Sequence, residues 1–219
     1  MRARIGLAAA TAAICAASAA LPGAAQAGTL DQQQTTSSYG AGVGESQSIA
    51  QVFRAGISGK LDQIDLLLNW VAPTTHPVSV EIRGLSSGSP GAAVLASASI
   101  PAASIGPTAG FMPVKFASPP TAAAGTQYAI VLYSAEPSNE YAWGTTTADV
   151  YSGGDSFNTT TSPPTAWIDD AGQDMAFKTY VVPPSTPTGQ RAAALKKCKK
   201  RHSARARRKC RKRANLLPL

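Results

Sequence analysis

The sequence predicts an all-β fold: an antiparallel two-layer β-sandwich, jelly-roll-like, with a short α-helical or disordered basic tail at its C-terminus. Three observations carry this expectation. Apolar residues alternate with period two over residues 48–182, no stretch of useful length there shows a helical period, and Gly/Pro turn signals separate the alternating runs.

The segments follow in order. Residues 1–27 read as a secretory signal peptide: Arg2 and Arg4 precede the Ala-rich run from Ile5 to Leu21, and Ala25-Gln26-Ala27 supplies a small-x-small cleavage site. The run is too weakly apolar, and meets Pro22-Gly23 too soon, for a spanning helix, which needs about 20 strongly apolar residues. Cys15 follows Ile14 rather than a small residue, so no lipidation box is present, and Ala3 splits the arginines, so the twin-arginine route is not indicated. Residues 28–47, with Gln32 to Gln34 and glycines at 40, 42 and 44, read as a flexible polar lead-in. Those glycines lack the preceding strand and following helix of a phosphate-binding loop.

The strongest strands are Ile64 to Trp70, Val78 to Arg83 and Tyr128 to Tyr133. Shorter candidates are Ile49 to Arg54, Val94 to Ile100, Phe111 to Phe116, Glu140 to Trp143 and Met175 to Val181. Turn signals such as Ser87-Gly88-Ser89-Pro90-Gly91, Pro119-Pro120 and Gly153-Gly154 stand between them. A Pro-rich linker, 183–190, leads to a tail, 191–219.

The order of these segments is itself informative. Gln51-Val52-Phe53, Gly59-Lys60-Leu61 before Ile64-Asp65-Leu66, Val80-Glu81-Ile82-Arg83, Ser89-Pro90-Gly91, Val114-Lys115-Phe116, Ala124-Gly125-Thr126-Gln127-Tyr128, Tyr141-Ala142-Trp143-Gly144 and Asp174 to Tyr180 succeed one another. Over about residues 45 to 181 the chain resembles the choice-of-anchor R type domain of secreted bacterial proteins. The resemblance implies a β-sandwich used for display or adhesion. That family has no established catalytic residues to carry over.

Charge is segregated. The chain has 20 Lys plus Arg against 12 Asp plus Glu. Between residues 28 and 190, five bases face all twelve acids, leaving −7, whereas residues 191–219 hold 13 bases and no acid. Such a tail suits polyanions. Lys196, Lys197, Lys199, Lys200, Arg201, Arg205, Arg207, Arg208, Lys209, Arg211, Lys212 and Arg213 are the candidate contacts. With an export signal, the partners to expect are anionic cell-envelope polymers, lipid headgroups or extracellular DNA. The tail has no sustained apolar stripe, and no transmembrane segment or LPxTG sorting signal is recognisable. Cys-bearing basic tails of this kind are similar to those ending some exported actinobacterial proteins.

After cleavage Cys198 and Cys210 are the only thiols, and an exported even pair points to a disulfide. On one continuous helix they would lie about 18 Å apart, beyond disulfide reach. A bridge therefore requires a turn near His202-Ser203 and a stapled helical hairpin. Zinc, with His202 as third ligand, is the rival, disfavoured by the surrounding cations and a missing fourth ligand.

Enzyme signals are thin. Gly84-Leu85-Ser86-Ser87-Gly88 matches G-x-S-x-G, but no helix follows to make a nucleophile elbow, and His76 is the lone histidine of the body. The expectation is a non-enzymatic module without a cofactor. A structural Ca²⁺ held by Asp169, Asp170 and Asp174 is the one metal to test, against the alternative of an ordinary acidic turn. Tyr141, Trp143, Tyr151 and Trp167 are candidates for stacking on glycans, against the alternative of core packing. The chain thus reads as a secreted, envelope-associated binding or adhesion module. A carbohydrate-active enzyme and a structural matrix protein are the rivals.

Overall fold

The computed structural model describes residues 28–184 and 189–217. The signal peptide inferred for residues 1–27 lies outside the described residues, as do 185–188 of the linker and the last two positions. The body consists of two antiparallel sheets. One contains β1 (Thr29–Gln34), β2 (Tyr39–Val43), β4 (Gly59–Trp70), β7 (Gly110–Lys115), β8 (Thr121–Ala122), β10 (Tyr141–Thr146), β13 (Asp174–Met175) and β14 (Phe177–Val182). The other runs β12 (Ile168–Asp169), β11 (Ser156–Thr159), β3 (Ser48–Arg54), β9 (Gln127–Ser134), β5 (Val78–Ser86) and β6 (Ser89–Ile100).

Period-two burial accounts for the layers. Val78, Val80 and Ile82 on β5, and Ile130 and Leu132 on β9, are fully buried and face Ile64, Leu66 and Trp143 in one core. On β4 the phase changes: Leu61 is inward, yet so are Ile64 and Leu66. A bulge opposite Tyr180 and Val181 supplies the extra residue. β3 does not alternate, because it is buried on both faces. Phe53 enters the main core, while Ala50 and Val52 join Ala129, Val131 and Phe157 in a smaller cluster against which Trp167 packs.

Residues 28–47 correct the expectation of a flexible lead-in, since β1 pairs with β14 and β2 with β10. The glycines there serve close packing. A Cβ at Gly40 would sit 2.7 Å from the Ala142 Cβ, and one at Gly44 would sit 2.5 Å from the Asn139 Cα. Polar composition misleads here because β1 is an edge strand, and its one buried glutamine, Gln34, donates to Asp174 O at 3.3 Å.

The G-x-S-x-G string closes the β5–β6 hairpin. Ser87 (φ 51°) and Gly88 (φ 87°) are both left-handed, as the two-residue turn joining twisted strands requires. At Ala176 the chain leaves β10 for β4. Its N–H donates to Gly144 O at 2.7 Å, and its carbonyl accepts both the Leu67 N–H at 3.3 Å and the Trp143 indole N–H at 2.9 Å.

The tail folds as α1 (Gln190–Lys199) and α2 (Ala204–Ala214), joined near His202-Ser203 as the cysteine spacing demands.

Gly44 provides a test of close packing. Gly44→Ala must displace backbone, and the expected cost is about 1–3 kcal/mol by urea denaturation. Gly84→Ala, with nothing within 4 Å of the added carbon, is expected to stay within about 0.5 kcal/mol of the parent.

Candidate functional site

The tail is built around its cystine. Cys198 and Cys210 are bonded with their Cα atoms 5.4 Å apart. Each helix contributes a turn-spaced series of small side chains to the groove between them: Ala194 and Cys198 on α1, and Ala206, Cys210 and Ala214 on α2. Cys198 and Ala214 are buried there. Sequence inspection found no sustained apolar stripe because this one is made of alanine and cysteine. Ser203 caps α2 by accepting the Ala206 N–H at 3.2 Å. Arg191 closes the hairpin from the other end, donating from Nε to Leu217 O at 2.9 Å.

All twelve cations from Lys196 to Arg213 are exposed. Among the described residues none of them forms a salt bridge. Lys196, Lys197 and Lys199 in the last turn of α1, and Arg211, Lys212 and Arg213 in that of α2, sit favourably at helix C-termini. Neither first turn holds an acid. The charge is displayed on two faces. Arg207, Arg208, Arg211 and Lys212 line an open groove of about 410 Å³ along α2. Arg201, Lys209 and Arg213 rim a second, of about 470 Å³, whose floor is the cystine and its neighbouring alanines. Dense unpaired positive charge in water is able to neutralise an anionic array and release its counterions.

The acidic turn is a different structure from the Ca²⁺ site considered from sequence. Among the described residues no group of three or more His, Cys, Asp or Glu side chains converges on one metal position. Asp169 is exposed on β12, and Asp170 holds the following turn, its Oδ1 accepting from Gln173 Nε2 at 2.7 Å. Gly172, at φ 85°, completes that turn. Asp174 is buried, with both its carboxylate oxygens engaged within the protein. Oδ2 accepts the Val150 and Tyr151 N–H groups, each at 2.8 Å, and Oδ1 accepts from Gln51 Nε2 at 3.2 Å. Burial pushes the Asp174 carboxyl above the usual carboxylate range, and the hydrogen bonds from Tyr151, Val150 and Gln51 only partly offset it.

The aromatic candidates separate. Tyr141 and Trp143 belong to the core, at 1% and 0% exposure, which removes them from glycan stacking. Apolar burial wins because both point inward from β10, and each polar end finds an acceptor: Tyr141 Oη reaches His76 O, and Trp143 Nε1 reaches Ala176 O. Tyr151 is half-buried. Its ring packs edge-on against Phe177 at 5.1 Å, and its hydroxyl donates to Gln32 Oε1 at 3.0 Å. Trp167 is half-buried against the Ala50–Val131 cluster.

Other titratable groups in the body serve the fold. Glu136 accepts the His76 N–H at 2.6 Å and the Thr75 N–H at 2.7 Å. Burial raises its carboxyl, but these bonds outweigh burial and leave it below the usual range. His76, half-exposed, faces the same carboxylate at 3.4 Å. On β5, Arg83 Nε pairs with Glu81 at 2.6 Å, and the Tyr133 hydroxyl donates to the other oxygen of Glu81 at 2.9 Å. No protein-family model matches the chain, and no curated protein matches it.

Two outcomes follow. Gln51→Leu strands the Met175 N–H, which Gln51 Oε1 accepts at 2.7 Å, and takes one donor from the Asp174 carboxylate. It is expected to cost about 2–4 kcal/mol at neutral pH, counting two buried groups left short of a partner. The variant raises the native Asp174 pKa further, so this destabilisation is largest when the carboxyl is charged. It shrinks as pH falls through the native Asp174 pKa, which lies above the usual carboxylate range in the parent and higher still in the variant, as urea midpoints at about pH 7 and about pH 4 will show. In the tail, α1 and α2 have 10 and 11 residues, short of the roughly 12–15 at which isolated helices become marginal. Replacing Cys198 and Cys210 with Ser removes about 3 kcal/mol of cross-link stabilisation. Amide-exchange protection is expected to vanish over 190–214 and persist in the sandwich.

Proposed function

We propose that this chain is an exported, non-enzymatic binding or adhesion module whose sandwich is held at the cell envelope by its basic hairpin. The observation that carries the reading is the set of twelve exposed cations, unpaired among the described residues, on a cystine-clamped scaffold. An isolated basic segment loses entropy when a polyanion orders it, and the cross-link reduces that cost by holding the charges in place beforehand. A disulfide also belongs to an oxidising compartment, in keeping with the export signal read in residues 1–27. Phosphate- or carboxylate-bearing wall polymers, anionic lipid headgroups and extracellular DNA share the chemistry that such a surface takes. The resemblance of residues 45 to 181 to the choice-of-anchor R type domain fits a display role. Among the described residues no helix is long and apolar enough to cross a membrane, so attachment in this reading is electrostatic. Any glycan surface on the body centres on Trp167, since Tyr141 and Trp143 are in the core and the Tyr151 hydroxyl is engaged.

The test compares residues 28–219 with 28–190 for retention on purified, protein-free cell envelope as NaCl rises. The longer chain is expected to bind and to be released by salt, while the shorter flows through. Equal, salt-resistant retention of both would place recognition in the sandwich instead.

A further inference from the structure

The outer edge of β6 is unguarded over its C-terminal half, Ala96 to Ile100. It is the last strand of its sheet, pairs with β5 on one side, and has no backbone partner on the other among the described residues. Exposed edges in monomers are commonly blunted by charge, proline, brevity or a bulge. β6 is 12 residues long and carries no charged side chain. Pro90 stands near its start, and the pairing with β5 is irregular on both sides of Arg83, between Ile82 and Arg83 and again between Arg83 and Leu85. Ala96 to Ile100 pair regularly with β5 and have neither device. Val94 and Leu95 are 46% and 43% exposed, and they flank a shallow groove of about 350 Å³ that continues to Ala117 and Ser118. The neutrality extends beyond the strand: no ionisable side chain occurs from Gly84 to Val114, in a body of net charge −7.

We infer that β6 is a homodimer interface, pairing antiparallel with β6 of a second copy so that the two six-stranded sheets become one continuous sheet. Charge selects the occupant. Two acidic bodies repel wherever their carboxylates meet, and this band is where they approach without placing like charges opposite one another. A charged foreign strand would gain no attraction there. Symmetry agrees, because a strand that pairs with its own copy across a two-fold axis does so antiparallel, which is the pairing used throughout this sheet. Edge pairing satisfies the open backbone groups, and Val94 and Leu95 lose water.

The experiment is sedimentation equilibrium of residues 28–219 in low salt and in about 1 M NaCl, where the Debye length is about 3 Å and tail-to-body attraction is silenced. A concentration-dependent dimer that survives high salt is expected. Leu95→Lys and, separately, Ser97→Lys should raise its dissociation constant at least about 100-fold by setting charges across the axis, with urea midpoints close to the parent's. Ser97 is exposed, so that variant carries the test should Leu95→Lys unfold. A monomer at every attainable concentration overturns the inference. So does a dimer that dissolves as NaCl rises, or one that both lysine variants leave intact.

Discussion

The body depends on one buried polar contact, the amide of Gln51 against the carboxylate of Asp174. Most of each sheet's backbone is paired within that sheet, and apolar packing between sheets is non-directional. Gln51 projects from β3 of one sheet and uses both ends of its amide on the other layer and its flanking loop. Oε1 takes the Met175 N–H, while Nε2 reaches Asp174 and the carbonyl of Gly154. Asp174 in turn gathers the N–H groups of Val150 and Tyr151, and its carbonyl accepts from Thr145 and Gln34. Five segments therefore meet around Asp174, whose carboxylate burial makes costly and hydrogen bonds make tolerable. β13, two residues long, and the loop around residue 150 have few other reasons to hold their places.

The tail obeys a different balance. Thirteen bases and no acid lie within residues 191–219, and nearly all are exposed, so the helices repel and share little apolar surface. A cross-link replaces the missing core. Alanine and cysteine at the contact let the helices approach closely enough for the bond, and the long cationic side chains are left pointing outward. In the proposed role, attraction to a polyanion would offset this repulsion and so couple binding to hairpin stability.

How much of this was legible follows from what each signal depends on. Val78 to Ile82 and Ile64 to Leu68 announce strands, because one buried face writes itself as alternation. The hairpin was legible from the exported cysteine pair and helix length together, since cysteines twelve residues apart on one continuous helix cannot be bridged. β1 and β2 were hidden: an edge strand rich in Gln, and glycines whose purpose is close approach to Ala142 and Asn139, look like a mobile leader. Asp174 was noticed for its acidic neighbours, yet its role is set by Gln51, distant in sequence, and nothing local distinguishes a ligand from a buried acceptor. Trp143 likewise lies in a loop-rich stretch of sequence, yet it points inward from β10 and is fully buried, its indole N–H donating to the Ala176 carbonyl.

Whether the folded hairpin, rather than its composition alone, takes up anionic arrays is decided by titrating residues 28–219, with the cystine intact and after its reduction, against linear inorganic polyphosphate at several NaCl concentrations. The logarithm of affinity is expected to fall linearly with the logarithm of salt, with a slope of several units reporting several displaced counterions. Reduction is expected to weaken binding at every salt concentration. A slope near zero, or identical affinity with the cystine open, would rule out the hairpin as the anion-binding element.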